Sequence, residues 1–365
     1  MLNPDSLTAD RAPPPIECAV VGHRASGKTA LISALLKLSD QSFHSFAEAH
    51  PIFLPAHETL ARPEPSPEDT DDGDPVADQV ITALRNGGHF APTHDTFVVS
   101  HPIRADYYGL SAAPAGRKDK GRGSSPDRGG PDDSRQLRTR EMTVLDIAGP
   151  LLFPDTESRA RTPMRSRSLI LEAEARLMSA RTVILCLPAT YLAHSDAHVG
   201  LHYARLLNRM RAVDCRLERL IICLTKYESR WAAYGRDAIR AALDPAEFHR
   251  AAFEVVSDDD ALRRSLIGLA AKKTTAGRAV EIVLCPVSVY GFVLRNGCAN
   301  FDLHQDGMLI QAPGPEGFTK RRRSFPLYPE EEARRYWQPF LIVDPFMSAL
   351  TGRHGQLTFS LDTIV

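Results

Sequence analysis

An excess of charge of either sign is what this sequence most clearly lacks. Its 44 Lys+Arg stand against 45 Asp+Glu, a formal net charge of −1, so it carries no global nucleic-acid footprint and only a local patch remains open. Long hydrophobic runs are missing too: no apolar stretch approaches the roughly 18 residues of a membrane span. Residues Met1–Pro15 are polar and proline-rich without an apolar h-region. They do not read as a secretory signal, and a cytoplasmic protein is expected. Cysteine is scarce, six in 365 residues, with no CxxC spacing, so neither a disulfide framework nor a structural zinc site is expected. Cys18, Cys186, Cys223 and Cys285 each sit inside a short apolar run, the setting of buried, reduced thiols, whereas Cys215 and Cys298 stand alone.

What is present suits a large α/β core. Six apolar runs have strand length: Ile16–Val21, Thr96–Ile103, Met142–Ile147, Thr182–Leu187, Arg219–Leu224 and Glu281–Val287. Most are nearly continuous in Val, Ile, Leu and Cys, as strands of a parallel sheet covered on both faces are. Helical patterns fall between them at Lys28–Leu38, Ser168–Ser179, Val199–Arg211, Tyr234–Leu243 and Ala261–Ala270. The alternation predicts a three-layer α/β/α fold, mostly parallel, with one antiparallel pair formed by the second and third strands. Length admits one large domain or two; a single P-loop domain over residues 16–352 is expected, between a disordered N-terminal tail (1–15) and a C-terminal tail (353–365). Two stretches break the rhythm, an acidic, proline-rich one at 55–78 and a low-complexity one at 111–136, and both are expected to be flexible insertions.

The strongest chemical signal is Gly22-His23-Arg24-Ala25-Ser26-Gly27-Lys28-Thr29, directly after the first strand and directly before the first helix. It matches GxxxxGK[ST], the Walker A pattern, in the strand–helix context that the motif needs. The glycines let the backbone turn tightly, so that successive N–H groups point at phosphate oxygens. Lys28 then reaches the β/γ-phosphates, and the Thr29 hydroxyl suits Mg²⁺. A second signal, Asp146-Ile147-Ala148-Gly149, ends the strand Met142–Ile147. Its aspartate suits the water shell of Mg²⁺, and its glycine amide the γ-phosphate. A third, Thr225-Lys226-Tyr227-Glu228, follows the fifth strand and resembles the [NT]KxD motif of GTPases, in which a lysine stem covers the base and a carboxylate accepts two guanine N–H bonds. A fourth, Ser288, follows the sixth strand in a loop that resembles the one by which GTPases offer a backbone N–H to the guanine carbonyl.

In this order the four resemble the first, third, fourth and fifth motifs of the TRAFAC class of P-loop GTPases. The missing second-motif threonine is assigned to Thr93, in Asn86–Thr93 just before the second strand. With the tail Tyr336-Trp337-Gln338-Pro339-Phe340-Leu341-Ile342-Val343-Asp344-Pro345, the chain is similar to the bacterial double-GTPase (DO-GTPase) families. That resemblance implies an NTP-dependent switch in multi-protein bacterial conflict or signalling systems, with a protein partner. Lys28, Thr93 and Gly149 would act on the reacting phosphate, and Thr29, Thr93 and Asp146 on Mg²⁺. The γ-phosphate would order the Thr93 and Gly149 segments, and its loss would release them. The chain departs from the pattern at Glu228, where the families carry aspartate, and at Pro188. Pro150, immediately after the Asp146–Gly149 motif, cannot orient a water, so intrinsic hydrolysis is expected to be slow. GTP is the expected nucleotide; an ATP-dependent P-loop enzyme and a nucleotide-binding scaffold without turnover are the rival readings. His194, His198 and His202 share one helix face without an HExxH pattern, Lys320–Arg323 is a short basic run, and Arg159, Arg161, Arg165 and Arg167 offer an activating arginine in cis.

Overall fold

The computed structural model describes residues 16–23, 26–38, 59–61, 98–110, 135–153, 164–189, 198–212, 214–231, 237–289, 294–295, 298–299, 309–314, 317–322, 340–352, 354–355 and 357–363. Thr93, Arg24, Ala25, His194, Arg159, Arg161, Arg323, residues 1–15 and nearly all of the two insertions lie outside them.

Eight strands form one mixed sheet: β1 (Ile16–Gly22), β2 (Thr59–Ala61), β3 (Val98–Leu110), β4 (Arg135–Ile147), β5 (Thr182–Pro188), β6 (Arg219–Thr225), β7 (Glu281–Pro286) and β12 (Phe359–Ser360). Their order is β12-β7-β6-β5-β1-β4-β3-β2. The five central strands are parallel, and β3 runs antiparallel to β4 along 13 paired residues, from Val98–Ile147 to Leu110–Arg135. That is the expected hairpin, longer than its apolar runs suggested. Two short edge strands add antiparallel pairings, β2 on β3 and β12 on β7. Small hairpins, β8 (Leu294–Arg295) with β9 (Cys298–Ala299) and β10 (Leu309–Gly314) with β11 (Gly317–Arg322), stand apart from the sheet.

The strands read as continuous apolar runs because both faces are covered. Along β1, Ala19 and Val21 enter one core cluster and Cys18 and Val20 the other. The first cluster takes in side chains of α3 (Met164–Ser179), α4 (His198–Met210), α7 (Pro245–Ser257) and α8 (Asp260–Ala270). The second takes in α1 (Lys28–Leu38) and α9 (Asp344–Thr351). Shorter helices α2 (Gly149–Leu152), α5 (Glu228–Trp231) and α6 (Ala238–Leu243) sit at strand ends and connections. Residues 353–365, set apart as a tail by the sequence, supply β12, and Leu357 and Leu361 are buried in the core.

Two polar clamps fix the end of the sheet away from the P-loop. Arg219 Nε bonds Glu281 Oε2 at 2.6 Å and Arg219 Nη1 donates to the Ser348 carbonyl at 2.8 Å. His354 bridges Glu281 Oε1 (2.8 Å) and Ser348 Oγ (3.0 Å). The His354 and Arg219 bonds hold the Glu281 carboxyl down at about 2. Ser348 is buried inside α9, so this serine–histidine–glutamate chain acts as a fastening and not as a nucleophile. In the second clamp Lys272 Nζ donates to the carbonyls of Met210 (2.9 Å), Ala212 (2.7 Å) and Cys215 (2.7 Å). A positive charge on a helix C-terminus answers both its orphan carbonyls and its dipole. Lys272→Met, which keeps the stem and removes the ammonium, should lower unfolding free energy by about 1–2 kcal/mol in urea titrations. A change below about 0.3 kcal/mol would show that the carbonyls are served as well by water.

Candidate functional site

In the parallel order β4-β1-β5 the chain leaves β1 through α1 on one face of the sheet and leaves β5 through α4 on the other, so the loop after β1 borders the kind of crevice in which open α/β sheets bind ligands. Gly22 closes β1 opposite Cys186 of β5. A Cβ on Gly22 would lie 2.4 Å from Ser26 Oγ and 2.9 Å from the Cys186 carbonyl, so only glycine fits. Gly27 has φ 83°, a left-handed conformation that glycine adopts without strain. Between them the Ser26 amide bonds back to the His23 carbonyl at 3.1 Å, and the Gly27 carbonyl already accepts from Leu31 in the first turn of α1. The glycine spacing is thus a backbone requirement, and the helix N-terminus it opens is the anion-binding end.

Lys28 Nζ donates to Asp146 Oδ1 at 2.7 Å, and the two side chains are only 6% and 5% exposed. The register puts Asp146 opposite Val20, two residues before the loop begins. The strongest and second sequence signals therefore meet as a buried ion pair. Its members are a phosphate-seeking cation and a hard-oxygen anion suited to Mg²⁺. Thr29, next in α1, supplies a hydroxyl of the same hard type. These donors fit the metal expected from the sequence.

The third signal joins the loop through its threonine. Thr225 Oγ1 donates to the Ser26 carbonyl at 2.5 Å, a bond between residues 199 apart in sequence. Lys226 follows with φ 54°, left-handed for a non-glycine residue and a mark of backbone held by its surroundings. Burial lowers its ammonium pKa, and nearby Glu228 pulls it back up. The segment carrying Ser288 is stitched to the same place: Val287 N bonds the Leu224 carbonyl (2.9 Å), and Tyr227 N the Val287 carbonyl (3.3 Å). Ser288 also exchanges two backbone bonds with Phe340 (3.0 and 2.7 Å), which docks the C-terminal segment Phe340–Val343 against the site. Glu228 is 1% exposed, and neither carboxylate oxygen has a hydrogen-bond partner among the described residues. Burial pushes its carboxyl up to about 7, against the opposing pulls of the Ser288 hydroxyl, its own backbone amide and Lys226.

Sequence reasoning missed Tyr203. Its hydroxyl accepts from the His23 amide at 3.0 Å and donates to the Cys186 carbonyl at 2.8 Å, bracing the loop from α4. A tyrosine on the buried face of an amphipathic helix signals that its hydroxyl needs a polar partner, but not which one. The His23 ring packs near Phe153 and His202, with centroids 5.7 and 5.9 Å away. Gly149 and Pro150 open α2, and Leu151, Leu152 and Phe153 are all buried in the core. The segment expected to be held by a γ-phosphate is thus anchored by its own apolar side chains. The proposed metal and phosphate contact Thr93 lies outside the described residues, as do two of the four candidate arginines. Arg167 is exposed on α3, and Lys320 to Arg322 lie in β11, which pairs only with β10 among the described strands. Among the described residues no helix is long and apolar enough to cross a membrane.

The sheet order, the loop and the buried lysine–aspartate pair define an α/β P-loop fold. No family model and no curated protein matches the chain. Among solved structures it is similar to the Saccharomyces cerevisiae Ski7 GTPase-like domain bound to GTP, with 13% identity, TM-score 0.32, and coverage of 81% of this chain and 48% of that one. The same domain bound to GDP and inorganic phosphate gives 12% identity and TM-score 0.32, with coverage of 81% and 47%. The chain spans about half the length of these structures.

The Thr225 bond can be removed almost isosterically. Thr225→Val leaves the Ser26 carbonyl without that donor and should cost about 1 kcal/mol of stability in thermal or chemical denaturation, with Thr225→Ser close to wild type. A loss in Thr225→Ser with none in Thr225→Val would assign the effect to the threonine methyl instead.

Proposed function

We propose that this chain is a Mg²⁺-dependent GTP-binding switch with low intrinsic GTP hydrolysis. The observation that carries the reading is the convergence of three distant motifs on one loop: Lys28 with Asp146, Thr225 with Ser26, and the Tyr227–Val287 stitch that brings Glu228 beside Ser288. The backbone of Gly22–Thr29 and the Lys28 ammonium would hold the phosphates, with Arg24, Ala25, Ser26 and Gly27 completing the loop. Thr29 and Asp146, together with Thr93, would hold Mg²⁺, which when bound neutralises charge on the β/γ-phosphate oxygens. The Lys226 stem would cover the base, Glu228 would accept its N–H bonds, and the Ser288 amide would meet its carbonyl. Gly149 would present its amide to the γ-phosphate.

Turnover is the weaker half of the chemistry. Proline after Gly149 supplies neither a side-chain donor nor a backbone N–H, and the residues after it are apolar and buried. Completion of the reactive site would fall to a protein partner, a second copy of the domain, or an arginine from 159–167. The similarity to DO-GTPases adds the expectation of a multi-protein bacterial system. The buried Leu151–Phe153 anchor favours one rival, a nucleotide-binding scaffold without turnover, because a segment fixed by its own side chains has less left for a γ-phosphate to order.

One sample set tests the reading: wild type and Lys28→Ala titrated with GTP and ATP in Mg²⁺ at pH 8, with single-turnover hydrolysis on the same preparations. Wild type should prefer GTP, Lys28→Ala should lose tight binding of both, and the wild-type rate should lie at or below roughly 10⁻⁴–10⁻³ s⁻¹. Unchanged affinity in Lys28→Ala would remove the phosphate-loop role. A rate above about 1 s⁻¹ would reveal a catalytic residue within the chain, and no hydrolysis even with added arginine-donating partners would leave the scaffold.

A further inference from the structure

We infer that Glu228 reads the base as a proton-controlled switch: ionised, it selects guanine, and protonated, it abandons guanine and accepts adenine. The inference rests on the base-reading role proposed above and adds the condition under which that role operates.

The geometry is unusual for a carboxylate expected to meet solvent or a ligand. Glu228 opens the four-residue helix α5 two residues after the left-handed Lys226, yet it is 1% exposed with neither carboxylate oxygen hydrogen-bonded among the described residues. The aromatic residues on either side of it, Tyr227 before the helix and Trp231 at its end, are buried, and Arg230 on the same helix pairs with Glu254. Tyr227 stacks on Phe340 with centroids 6.0 Å apart and meets Trp231 and Phe248 edge-on at 5.7 and 5.8 Å. Among the described residues three groups bear on the carboxyl: the Ser288 hydroxyl from the segment after β7, its own backbone amide, and Lys226 on its own loop. Each favours the charged form, and burial outweighs them. An unpaired buried carboxylate without two donors meets this cost by taking up a proton.

The chemistry of the two states follows from donor and acceptor counts. A carboxylate is acceptor-only; a protonated carboxyl offers one O–H donor and keeps acceptor capacity. Guanine presents two donors on that edge, N1–H and the 2-amino group, and so needs the carboxylate. Adenine presents an acceptor at N1, which repels a carboxylate and accepts from the protonated acid. Guanine binding must therefore release the proton that the free site holds, whereas adenine binding keeps it. With the free site titrating near 7, guanine affinity should fall about tenfold per pH unit below that point.

Kd values for GTP and ATP, measured by calorimetry at pH 8 and pH 5.5 in Mg²⁺, test this. Protonation of the phosphates and Mg²⁺ binding affect the two nucleotides alike, so the ratio isolates the base. The GTP preference should shrink about 300-fold on acidification, about 30-fold from guanine affinity lost and about tenfold from adenine affinity gained. In Glu228→Gln, which cannot titrate, the ratio should be the same at both pH values. A second readout needs no nucleotide: between pH 5 and pH 8 the melting temperature of Glu228→Gln should rise relative to wild type. The penalty for a buried ionised Glu228 is absent below its unfolded value near 4.5 and complete above about 7. A wild-type GTP/ATP ratio that is high and identical at both pH values would overturn the proton switch while leaving guanine reading intact. ATP preference at pH 8, or a Glu228→Gln ratio equal to wild type there, would overturn the guanine reading itself.

Discussion

The site turns on one contact, the buried bond between Lys28 and Asp146. Two full charges at low exposure are costly to desolvate and hold only if each finds its counter-charge with good geometry. Here the lysine comes from the first turn of α1 and the aspartate from the end of β4, so the pair fixes the loop between them against the neighbouring strand. It also sets a constraint on ligands. In the proposed function Lys28 turns to phosphate and Asp146 to a metal shell, and each gives up the counter-charge that the other supplies. An anion and a cation must therefore arrive together. In that reading nucleotide and metal binding are coupled by the need to exchange partners.

Around this pair the backbone does the positioning. Tyr203 braces the His23 amide, Thr225 the Ser26 carbonyl, and the Leu224–Val287–Tyr227 bonds join the two base-side segments to each other. The left-handed Lys226 lies at the junction. Phe340, from nearly the end of the described chain, closes the assembly by pairing with Ser288. The C-terminal segment is thus part of the site's foundation, and α9 and the Arg219–Glu281–His354 fastening hold it in place at the far end of the sheet.

Much of this was legible beforehand, for definable reasons. Strands covered on both faces leave continuous apolar runs, and glycine, lysine and threonine spacings in the loop are dictated by local geometry. Helix α7 was hidden because Asp244–Pro245 reads as a stop, when in fact Asp244 caps it by accepting from Ala246 and Pro245 occupies the first turn. The outer half of the β3–β4 hairpin was hidden because its residues alternate in polarity less regularly than a core strand. At the site, residue type revealed Glu228 and Thr225 but not their circumstances. The Thr225 bond depends on two loops meeting from 199 residues apart. The protonation of Glu228 depends on burial, which a sequence pattern does not specify. The Gly149 segment shows the same gap: apolar residues after the motif were visible, but not that they lock it into the core.

Partner exchange at Lys28 is most directly tested by measuring the Mg²⁺ dependence of GTP affinity in wild type and in Lys28→Met. With the pair intact, Mg²⁺ should strengthen GTP binding by at least about tenfold, and GTP should strengthen Mg²⁺ binding by the same factor. In Lys28→Met, where Asp146 has lost its counter-charge, Mg²⁺ should bind without nucleotide and the coupling should shrink. Equal coupling in both proteins would contradict an exchange at this pair, and GTP affinity indifferent to Mg²⁺ in wild type would contradict it outright.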